Sequence, residues 1–553
     1  MLSENKLLLL QQLVQSASTE EIIWTNGYLA GFLDKNLPKN TIPTIETPAA
    51  IALKPLIVYG TETGNSKKVA SNLLATFKKN KINAKVVDVF QFDVAKLEKE
   101  SLVIFVISTQ GEGEFPQNAV SFYENLKAST VNLSNLSFSV LGLGDSSYPL
   151  FCNAGILLDE VLVEKGAKRL LPLVKADVDF ADAVAIWETD LQKAFQNFGS
   201  HLTNEVKIPS VAAVPAKKNY IGKITHKVIL NDTGSNKETY HIEIESDDQI
   251  SYEPGDALGV FPKNKEEEIK TIASYFNETN FSILSDKNVR GLSKKSLEAL
   301  SKLFEIEITE EKANLIDIIE KYQPKKGTLK EVIELLLPIS PRLYSISSSL
   351  AAHDGQVHLT VCLNKFKVEE KVKAGFASEF LADFPLNEPL EFYIHKNQNF
   401  RLPSQETDII MIGPGTGIAP FRSFLAERDV TGAEGKNWLF FGEQHFVLDF
   451  YYQTEIQEWL TTGVLTKLDT AFSRDQEKKI YVQDRIREKA KEFNLWLENG
   501  ASIYICGQKN PMSLDVEKSI IEVISKERNI SEDQAKEILE NLQNQGKYQK
   551  DVY

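Results

Sequence analysis

The sequence contains little cysteine. Only Cys152, Cys362 and Cys506 occur among 553 residues, and they lie far apart with no CxxC spacing. That pattern argues against a disulfide framework and against a zinc or iron–sulfur site, and it fits a reducing compartment. The seven histidines include no ligand pair of the HExxH kind, so we expect no metal bound by this chain.

Long hydrophobic runs are missing as well. The N-terminal stretch Leu7–Leu10 resembles the apolar core of a signal peptide, but Gln11 and Gln12 end it after four residues. A signal-peptide core needs about 7–15 apolar residues, and a membrane span needs about 20. We therefore expect a cytoplasmic protein without a membrane segment.

Positive charge is outnumbered, since 62 Lys and Arg face 77 Asp and Glu and leave a formal net charge of −15. Nucleic acid and anionic membranes attract clustered cations, so neither is an expected partner. With 42% hydrophobic and 25% charged residues, the composition is that of an ordinary globular protein. At roughly 150 residues per domain, the length predicts about three or four domains.

Residues 1–53 predict two short helices followed by a linker. Ser3 and Thr19 are suitable N-caps, and three prolines follow between residues 35 and 53, which is typical of a linker. Such a helix pair is too small to bury a core of its own, so it must pack on the rest of the chain or on another copy. We interpret it as a candidate segment for homo-oligomerisation.

Residues 54–199 predict an α/β domain with three ligand-binding loops. A buried strand, Leu56–Gly60, leads into hydroxyl and glycine residues before a helix, and such a turn offers N–H groups and the helix dipole to an anion. A generic strand–helix turn is the alternative. Strands at 102–108 and 138–143 deliver two more loops to the same edge, where open α/β sheets bind ligands. Tyr148 in the third loop is suited to covering a flat ring.

Residues 200–218 contain Pro209, Pro215 and several alanines, and we interpret them as a flexible linker. From 219 to 404 the pattern changes to alternating strands with Pro-Gly turns, which indicates an antiparallel barrel. Residues 264–337 interrupt the barrel pattern with apolar residues at helical spacing. We expect a mainly helical insertion there.

The stretch Arg342–Ser345 lies within the barrel pattern. It combines a fixed cation, an aromatic plane and hydroxyls, which together suit a flavin ring with a pyrophosphate tail. An ordinary strand end with a surface cation is the alternative. Its place between two phosphate-type turns, one upstream and one downstream, favours the flavin. A further turn at Gly375–Ser378 begins a helix and has the same anion-binding arrangement.

Residues 405–553 predict a doubly wound nucleotide-binding domain. A strand at 408–412 runs into the turn Gly413–Pro420, whose glycines let the backbone approach a pyrophosphate. Cations and hydroxyls at 473–483 follow the third strand, where a 2′-phosphate needs them and a bare 2′-hydroxyl would need an acid. They favour NADPH over NADH, with a solvated basic surface as the alternative. We expect the terminal residues up to Tyr553 to follow directly after a helix.

The three loops of the first domain read TxTGNS, STQGEGE and LGDSSYxxFC, and they resemble the FMN domain of the diflavin reductases. The order of the domains resembles this family over residues 55–553. The resemblance implies a multidomain α/β plus β fold: a flavodoxin-like FMN domain, an antiparallel FAD-binding barrel with a helical insertion, and a doubly wound NADP-binding domain like that of ferredoxin-NADP reductase. It implies FAD, FMN and NADPH as cofactors.

The resemblance also assigns residues to each ligand. Those implied for FMN are Thr61, Glu62, Thr63, Gly64, Asn65, Ser66, Ser108, Thr109, Gln110, Gly111, Leu143, Gly144, Asp145, Tyr148, Phe151 and Cys152. Those implied for FAD are Arg342, Leu343, Tyr344, Ser345, Thr360, Val361, Cys362, Phe366, Gly375, Phe376, Ala377, Ser378 and Tyr553. Those implied for NADP are Gly415, Thr416, Ser473, Arg474, Lys479, Tyr481, Gln483 and Asp515.

Hydride transfer is implied for Ser345, Cys506 and Asp551, with Tyr553 covering the FAD ring. Two residues depart from the family pattern. Phe366 stands where relatives often carry a Tyr, which implies one hydrogen bond fewer to FAD. Phe376 replaces the second Gly of a GGxS turn, which implies altered backbone donation at that turn.

Residues 24–28, 435–442 and 548–553 are most similar to diflavin reductases that serve assimilatory sulfite reduction. That similarity implies electron flow from NADPH through FAD and FMN to a separate sirohaem iron–sulfur subunit, which reduces sulfite to sulfide. It also implies assembly of higher oligomers by the N-terminal segment. A general NADPH–haemoprotein reductase with another acceptor is the alternative enzyme. A non-enzymatic flavin-binding scaffold subunit is the alternative from another class.

Overall fold

A computed structural model describes residues 54–553 except 62–63, 112, 147, 149, 179, 198–217, 293, 311–312 and 369–370. The predicted N-terminal helices and nearly all of the 200–218 linker therefore lie outside the described residues. Among the residues that are described, no helix combines the length and the apolar character needed to cross a membrane.

The first sheet is parallel. Its strands are β1 (Leu56–Gly60), β2 (Lys85–Asp88), β3 (Leu102–Ser108), β4 (Ser137–Leu143), β5 (Lys168–Arg169) and β6 (Val174–Ala176). The order is β2-β1-β3-β4-β5, and β6 also pairs with β4. All residues of β1 and β3 are buried, as expected for central parallel strands covered on both faces. The covering helices are Asn65–Lys79, Gln117–Ala128, Asn153–Glu164 and Ala181–Asn197, with 3₁₀ turns at Val89–Gln91 and Val94–Lys99.

The register of this sheet aligns the ends of three strands. Gly60 at the end of β1 is opposite Ile107, and Ser108 at the end of β3 is opposite Leu143. Because parallel strands share one carboxyl edge, the loops that follow β1, β3 and β4 lie side by side. These are the three loops in which the sequence predicts an FMN site.

The second sheet is antiparallel. Its strands are β7 (Asn219–Ile229), β8 (Thr239–Glu245), β9 (Ala257–Val260), β10 (Arg342–Ser345), β11 (Val357–Cys362) and β14 (Pro389–His395), in the order β10-β9-β14-β7-β8-β11. An isolated bridge between Ile346 and Leu359 joins the two outer strands and closes the barrel. A separate hairpin, β12 (Lys365–Val368) with β13 (Lys371–Ala374), precedes the helix Phe376–Asp383.

The segment between β9 and β10 is helical, as the sequence predicts. Its helices are Glu266–Tyr275, Lys294–Phe304, Leu315–Tyr322 and Leu329–Leu335, with a 3₁₀ turn at Phe281–Leu284. They pack around an apolar core of their own, in which Leu300 and Val332 are fully buried. The hydroxyl of Thr328 accepts from the N–H of Glu331 and caps the last helix, which follows the usual capping-box pattern.

The third sheet is again parallel. Its strands are β15 (Ile409–Ile412), β16 (Asn437–Glu443), β17 (Lys467–Phe472), β18 (Ser502–Gly507) and β19 (Tyr548–Val552), in the order β17-β16-β15-β18-β19. Apolar cores lie on both of its faces. The helices are Ala419–Val430, Phe446–Asp449, Gln453–Thr462, Val482–Glu488, Ala490–Glu498, Leu514–Arg528 and Glu532–Asn544, with a 3₁₀ turn at Gly415–Ile418 and a π turn at Lys509–Ser513.

The expectation that the chain ends directly after a helix is wrong. Residues Tyr548–Val552 form β19, which runs parallel to β18 and places Asp551 opposite Cys506. Tyr548 is buried, and Lys550 forms an ion pair with Glu517 (2.7 Å). This short polar segment has no alternating hydrophobic pattern, so its strand conformation depends on the free edge of β18.

Gly255 provides a test of close backbone packing in the barrel. Its φ is +98°, and a Cβ there would lie 1.9 Å from the carbonyl oxygen of Phe400. We expect Gly255→Ala to destabilise the barrel by about 2–5 kcal/mol, because left-handed strain and overpacking add together. The measurement is the temperature at which heating releases flavin, followed by fluorescence.

Gly355→Ala is the matched control in the same barrel. Gly355 also has a positive φ, +84°, but nothing lies within 4 Å of the added Cβ. We expect this variant to lose only the strain contribution, about 1–2 kcal/mol. Equal shifts of the release temperature in the two variants would show that the close contact with Phe400 is unimportant.

Candidate active site

The loop after β1 has the geometry of a phosphate cradle. Gly64 has a φ of +89° with open space at the Cβ position, and its N–H donates to Thr61 Oγ1 (3.0 Å). Ser66 lies in the first turn of helix Asn65–Lys79, and its buried hydroxyl has no hydrogen-bond partner among the described residues. A buried hydroxyl at a helix N-terminus fits a phosphate that would accept from it. Glu62 and Thr63 lie outside the described residues.

The other two predicted FMN loops contact each other. The N–H of Thr109 donates to the carbonyl of Leu143 (2.8 Å), and the N–H of Gln110 donates to the carbonyl of Glu114 (3.0 Å). These bonds close the second loop and hold it against the third. The predicted residues gathered at this edge of the sheet are Ser108, Thr109, Gln110, Gly111, Leu143, Gly144, Asp145, Tyr148, Phe151 and Cys152.

Cys152 has a structural role at this edge. It is buried with a φ of 56°, and its thiol donates to the carbonyl of Gly142 (3.3 Å). A Cβ on Gly144 would lie 2.9 Å from the backbone nitrogen of Cys152, so the two segments touch. Burial raises the pKa of the Cys152 thiol to about 12. The thiol therefore stays protonated and unreactive at neutral pH.

Asp177 is a residue that sequence reasoning missed. Its carboxylate accepts hydrogen bonds from the N–H of Ser146 (2.9 Å), from the Ser146 hydroxyl and from the N–H of Val178 (2.8 Å). It thereby positions the third loop, which carries the predicted ring-covering Tyr148. Asp177 follows the short strand β6, whose sequence has no distinctive pattern, so no local signal could have indicated it.

The stretch Arg342–Ser345 forms β10 and pairs with β9, which places Ser345 opposite Ala257. The exposed Arg342 guanidinium donates through Nη1 to the carbonyl of Pro341 (3.1 Å). Tyr344 is half-buried, and burial raises the pKa of its phenol. The strand therefore presents a cation, an aromatic ring and a hydroxyl in sequence, as the predicted FAD site requires.

The predicted FAD residues on β11 alternate in direction. The hydroxyl of Thr360 lies 2.6 Å from the hydroxyl of Tyr452, whereas the Val361 side chain belongs to the barrel core. Cys362 is half-buried at the end of the strand. Because neighbouring residues of a strand point to opposite faces, only the backbone of Val361 can face a ligand on the side of Thr360.

The turn Gly375–Ser378 is held by its own hydroxyl. Ser378 Oγ donates to the carbonyl of Gly375 (3.0 Å) and accepts from the N–H of Asn364 (3.2 Å). The Phe376 ring lies 5.5 Å from the guanidinium of Arg290, a cation near the turn that sequence reasoning missed. Ala377 is buried in the helix that follows.

Phe366, the other residue that departs from the family pattern, is 45% exposed on strand β12. Its backbone is opposite Lys373 of β13 in the hairpin. The ring is therefore presented to the surface and not to the barrel core. This location is compatible with a contact to the edge of a bound ligand, but it adds no polar group there.

Ser345, Cys506 and Asp551 converge from three distant segments of the chain. Ser345 Oγ donates to Asp551 Oδ2 (2.9 Å), and Cys506 Sγ lies 3.9 Å from the same oxygen. Asn397 Nδ2 donates to the other carboxylate oxygen at 3.4 Å. The three residues predicted for hydride transfer therefore form one hydrogen-bonded cluster between the barrel and the third sheet.

Burial is the dominant influence on both acidic groups of this cluster. It raises the pKa of Asp551, while the hydrogen bond from Ser345 and the charge of His395 lower it. Burial also raises the pKa of the Cys506 thiol well above its ordinary value, and the nearby Asp551 carboxylate adds to this effect. Cys506 therefore remains a neutral thiol near pH 7, and Asp551 is the group whose protonation can change.

Tyr553 follows Asp551 at the end of the chain. Its N–H donates to the carbonyl of Gly507 (3.1 Å), and its carbonyl accepts from the N–H of Lys509 (2.9 Å). Its hydroxyl is 2.8 Å from Thr416 Oγ1, which connects the predicted FAD cover to the predicted NADP turn. The residue is 63% exposed, so its ring can move without disturbing the sheet.

The glycine-rich turn after β15 packs directly against β18. A Cβ on Gly417 would lie 2.1 Å from the carbonyl oxygen of Cys506, and a Cβ on Gly413 would lie 2.5 Å from the carbonyl oxygen of Gly417. Only glycine allows this approach of backbone to backbone. The turn therefore sits beside the Cys506–Asp551 pair, with Gly415 and Thr416 at its tip.

The residues predicted for the 2′-phosphate lie together after β17. Arg474, Lys479 and Tyr481 are exposed in the loop that leads to helix Val482–Glu488. The N–H groups of Ser473 and Arg474 donate to the carbonyls of Glu443 and Gln444 (2.8 and 2.9 Å), which anchors the loop on β16. Gln483 is half-buried in the first turn of the helix, whereas Asp515 is exposed on a different helix, Leu514–Arg528.

Lys237 is a second cation that sequence reasoning missed. Its ammonium group pairs with the side chain of Glu443, which also accepts from the hydroxyl of Tyr451 (3.1 Å). Glu443 lies 3.5 Å from the Cβ position of Gly415. Because the group next to Gly415 is this carboxylate, Lys237 offsets a negative charge beside the glycine-rich turn. A single lysine in a charged loop has no pattern that could have indicated this contact.

Another polar cluster joins the barrel to the third sheet. Buried Arg422 pairs with Glu455 (2.7 Å) and donates to His358 Nδ1 (3.1 Å). Burial and this cation lower the pKa of His358 to about 2. His241, Glu243 and His358 are close enough to hold a metal ion, but Arg422 already uses one His358 nitrogen and would repel a second cation. We interpret the cluster as a structural contact.

Known families match the chain in the order of its three sheets. Flavodoxin matches residues 57–187, the FAD binding domain matches 212–286 and 285–380, and the oxidoreductase NAD-binding domain matches 411–518. The chain is 36% identical to the sulfite reductase (NADPH) flavoprotein alpha-component of Bacillus subtilis, over 99% of this chain and 97% of that protein. The chain belongs to this family.

Relatives of the same name from other bacteria support the same family assignment. The protein of Vibrio vulnificus is 36% identical, over 100% of this chain and 96% of its own length, and that of Shewanella oneidensis is 35% identical, over 100% and 98%. The family assignment confirms the predicted fold class. The chain is an NADPH-dependent diflavin oxidoreductase, and its cofactors are FMN, FAD and NADPH.

The Ser345–Asp551 hydrogen bond is expected to affect the rate at which NADPH reduces FAD. We expect Ser345→Ala to slow reduction by NADPH about tenfold or more, because a hydrogen bond to a charged group is lost. Anaerobic rapid mixing with NADPH measures the rate. Ser349→Ala is the control, since the buried Ser349 hydroxyl donates to Glu427 and not to Asp551. Similar slowing in both variants would argue against a specific role for Ser345.

The pH dependence of this step follows from Asp551. If the ionised carboxylate is the active form, the rate falls as the pH decreases through the pKa of Asp551, which burial raises. Removing the Ser345 hydroxyl removes an influence that lowers this pKa. We therefore expect the acid limb of the Ser345→Ala profile to move to higher pH. Superimposable acid limbs for the two proteins would rule out this linkage.

Arg474 is predicted to select NADPH. We expect Arg474→Ala to raise KM for NADPH about tenfold or more without changing KM for NADH, since a charge-assisted bond to the 2′-phosphate is lost. Steady-state kinetics with both nucleotides measure the effect. Lys478→Ala is the control, because Lys478 is an exposed cation of the same loop with no predicted role. An equal rise of KM for both nucleotides would contradict 2′-phosphate recognition.

Proposed function

We propose that this chain passes electrons from NADPH through FAD and FMN to a separate sirohaem iron–sulfur subunit that reduces sulfite to sulfide. The single observation that supports the entry of electrons is the hydrogen-bonded cluster of Ser345, Cys506 and Asp551. The name shared by the relatives, sulfite reductase (NADPH) flavoprotein alpha-component, supports the choice of acceptor.

When bound, the nicotinamide supplies a hydride and the two flavins pass electrons on one at a time. The residues of this chain position and insulate that chemistry. Ser345 is oriented by its donation to Asp551 (2.9 Å), so its oxygen lone pairs face away from the carboxylate. Cys506 contributes a neutral thiol, since its pKa is raised well above the ordinary value by burial. Such fixed dipoles stabilise a developing charge without rearranging.

Tyr553 acts as a movable cover over the FAD ring in this proposal. Its ring occupies the chain end and is 63% exposed, with its hydroxyl bonded to Thr416 Oγ1. Thr416 belongs to the turn proposed to hold the NADPH pyrophosphate. Arrival of the nucleotide would compete for that threonine and would release the tyrosine, so binding and uncovering are coupled.

A separate subunit must carry the sirohaem and the iron–sulfur cluster. A [4Fe–4S] cluster is usually held by four cysteine thiolates, and this sequence contains only Cys152, Cys362 and Cys506. None of the three is paired with another, and two are buried. The same unpaired thiols support a reducing, cytoplasmic location. A place in cysteine biosynthesis is proposed from the product, since sulfide is the sulfur source for cysteine. Residues 1–53 are proposed to form a homo-oligomer.

Reconstitution tests the proposal. The full chain, loaded with FAD and FMN, is mixed with a purified sirohaem iron–sulfur subunit, NADPH and sulfite in the absence of oxygen. We expect NADPH oxidation and sulfide formation in a ratio of about three to one, because reduction of sulfite to sulfide takes six electrons and each hydride carries two. Each protein alone is expected to form no sulfide.

The acceptor is tested in the same experiment with cytochrome c in place of the sirohaem subunit. Fast cytochrome c reduction without any sulfide formation in the complete mixture would favour the general haemoprotein reductase. Failure of NADPH to bleach flavin absorbance would contradict electron entry at the Ser345 cluster. Sulfide formation that slows in step with FAD reduction when Ser345→Ala replaces the wild type would support electron entry at this cluster.

A further inference from the structure

One short segment of the barrel lies between the two flavin sites. His395 is the last residue of β14, and it is opposite Ala257 of β9, which in turn is opposite Ser345 of β10. His395, Ala257 and Ser345, the proposed hydride-transfer serine, therefore lie side by side on the neighbouring strands β14, β9 and β10. The chain then continues from Lys396 to Asn399 toward the first sheet.

Two residues of this segment contact the proposed FMN loops. His395 Nδ1 lies 3.3 Å from Asp145 Oδ2, and these side chains are only 17% and 15% exposed. Asn399 Nδ2 donates to Asn65 Oδ1, and Lys68 Nζ donates to Asn399 Oδ1 (3.5 Å). The segments that follow β1 and β4 therefore both contact the same five-residue segment of the barrel, 395–399.

The residue between them contacts the proposed hydride site. Asn397 Nδ2 donates to Asp551 Oδ1 (3.4 Å), and the N–H of Asn397 donates to Asp256 Oδ1 (3.0 Å). Asp256 is fully buried and pairs with both Lys396 and Arg401. This buried carboxylate holds the segment rigidly on the barrel, which is what a positioning element requires.

We infer that His395, Asn397 and Asn399 are positioning residues that seat the FMN unit on the FAD barrel for passage of electrons between the flavins. The inference rests on the proposed function and assigns its second step to named contacts. The contacts that His395 and Asn399 make are polar, so the FMN unit can leave again to meet its acceptor. The His395 side chain faces the carboxylate of Asp145, so a negative charge introduced at position 395 would oppose docking, while Asn397 ties the same segment to Asp551.

The first readout compares two rates in the holoenzyme. After anaerobic mixing with NADPH, the rate of FAD reduction and the rate at which electrons reach FMN are measured separately. We expect His395→Glu to lower the ratio of the second rate to the first about tenfold or more, because a carboxylate would face Asp145. His226→Glu is the control, since His226 is an exposed histidine of the same barrel.

The second readout needs no turnover. Small-angle X-ray scattering of the same proteins measures the radius of gyration, and we expect His395→Glu to be larger than the wild type and than His226→Glu. The charge exchange His395→Asp with Asp145→His is expected to restore both the compact dimensions and the rate ratio. Flavin content is determined for each variant, because Asp145 also belongs to a proposed FMN loop.

The outcomes separate this inference from the proposed function. A wild-type protein in which NADPH reduces neither flavin would overturn the proposed function. An active wild type together with unchanged dimensions and an unchanged rate ratio in His395→Glu would overturn only the docking role. Expansion of His395→Glu without rescue by the charge exchange would also overturn it, because the pairing with Asp145 would then not be the operative contact.

Discussion

The pairing of β19 with β18 is the constraint on which the proposed electron-entry site depends. It places Asp551 directly opposite Cys506, and from there the carboxylate reaches Ser345 of the barrel. A shift of register by one residue would turn the Asp551 side chain to the other face of the sheet. The last few residues of the chain therefore complete a site whose other members lie some 45 and 206 positions away in sequence.

The barrel and the third sheet are joined in a way that makes this arrangement rigid. Arg422 is buried between them and bonds to Glu455 and His358, and the glycine-rich turn packs on the carbonyl of Cys506. Groups that act on a transferring hydride are effective only when they are held in place before the ligand arrives. Removing Arg422 would leave the carboxylate of Glu455 and the ring nitrogen of His358 without their shared partner.

The first sheet is connected to the barrel in a different manner. The contacts of His395 and Asn399 are polar, in contrast with the buried apolar cores that hold each sheet together. This difference suits the proposed route, since a unit that receives electrons at one surface and delivers them at another must dissociate. The buried cores stabilise each unit, and the polar contacts between the first sheet and the barrel are suited to reversible association.

The amino-acid sequence by itself determined the order of the folds, the glycine turns and the hydroxyl-bearing loops. Strands such as Leu102–Ser108 and turns such as Gly413–Pro420 are encoded by neighbouring residues, so local patterns predict them. Tertiary structure alone decided the strand at Tyr548–Val552 and the positions of Asp177 and Lys237. These depend on a free sheet edge or on a partner far away in the chain, and no local pattern records such a long-range contact.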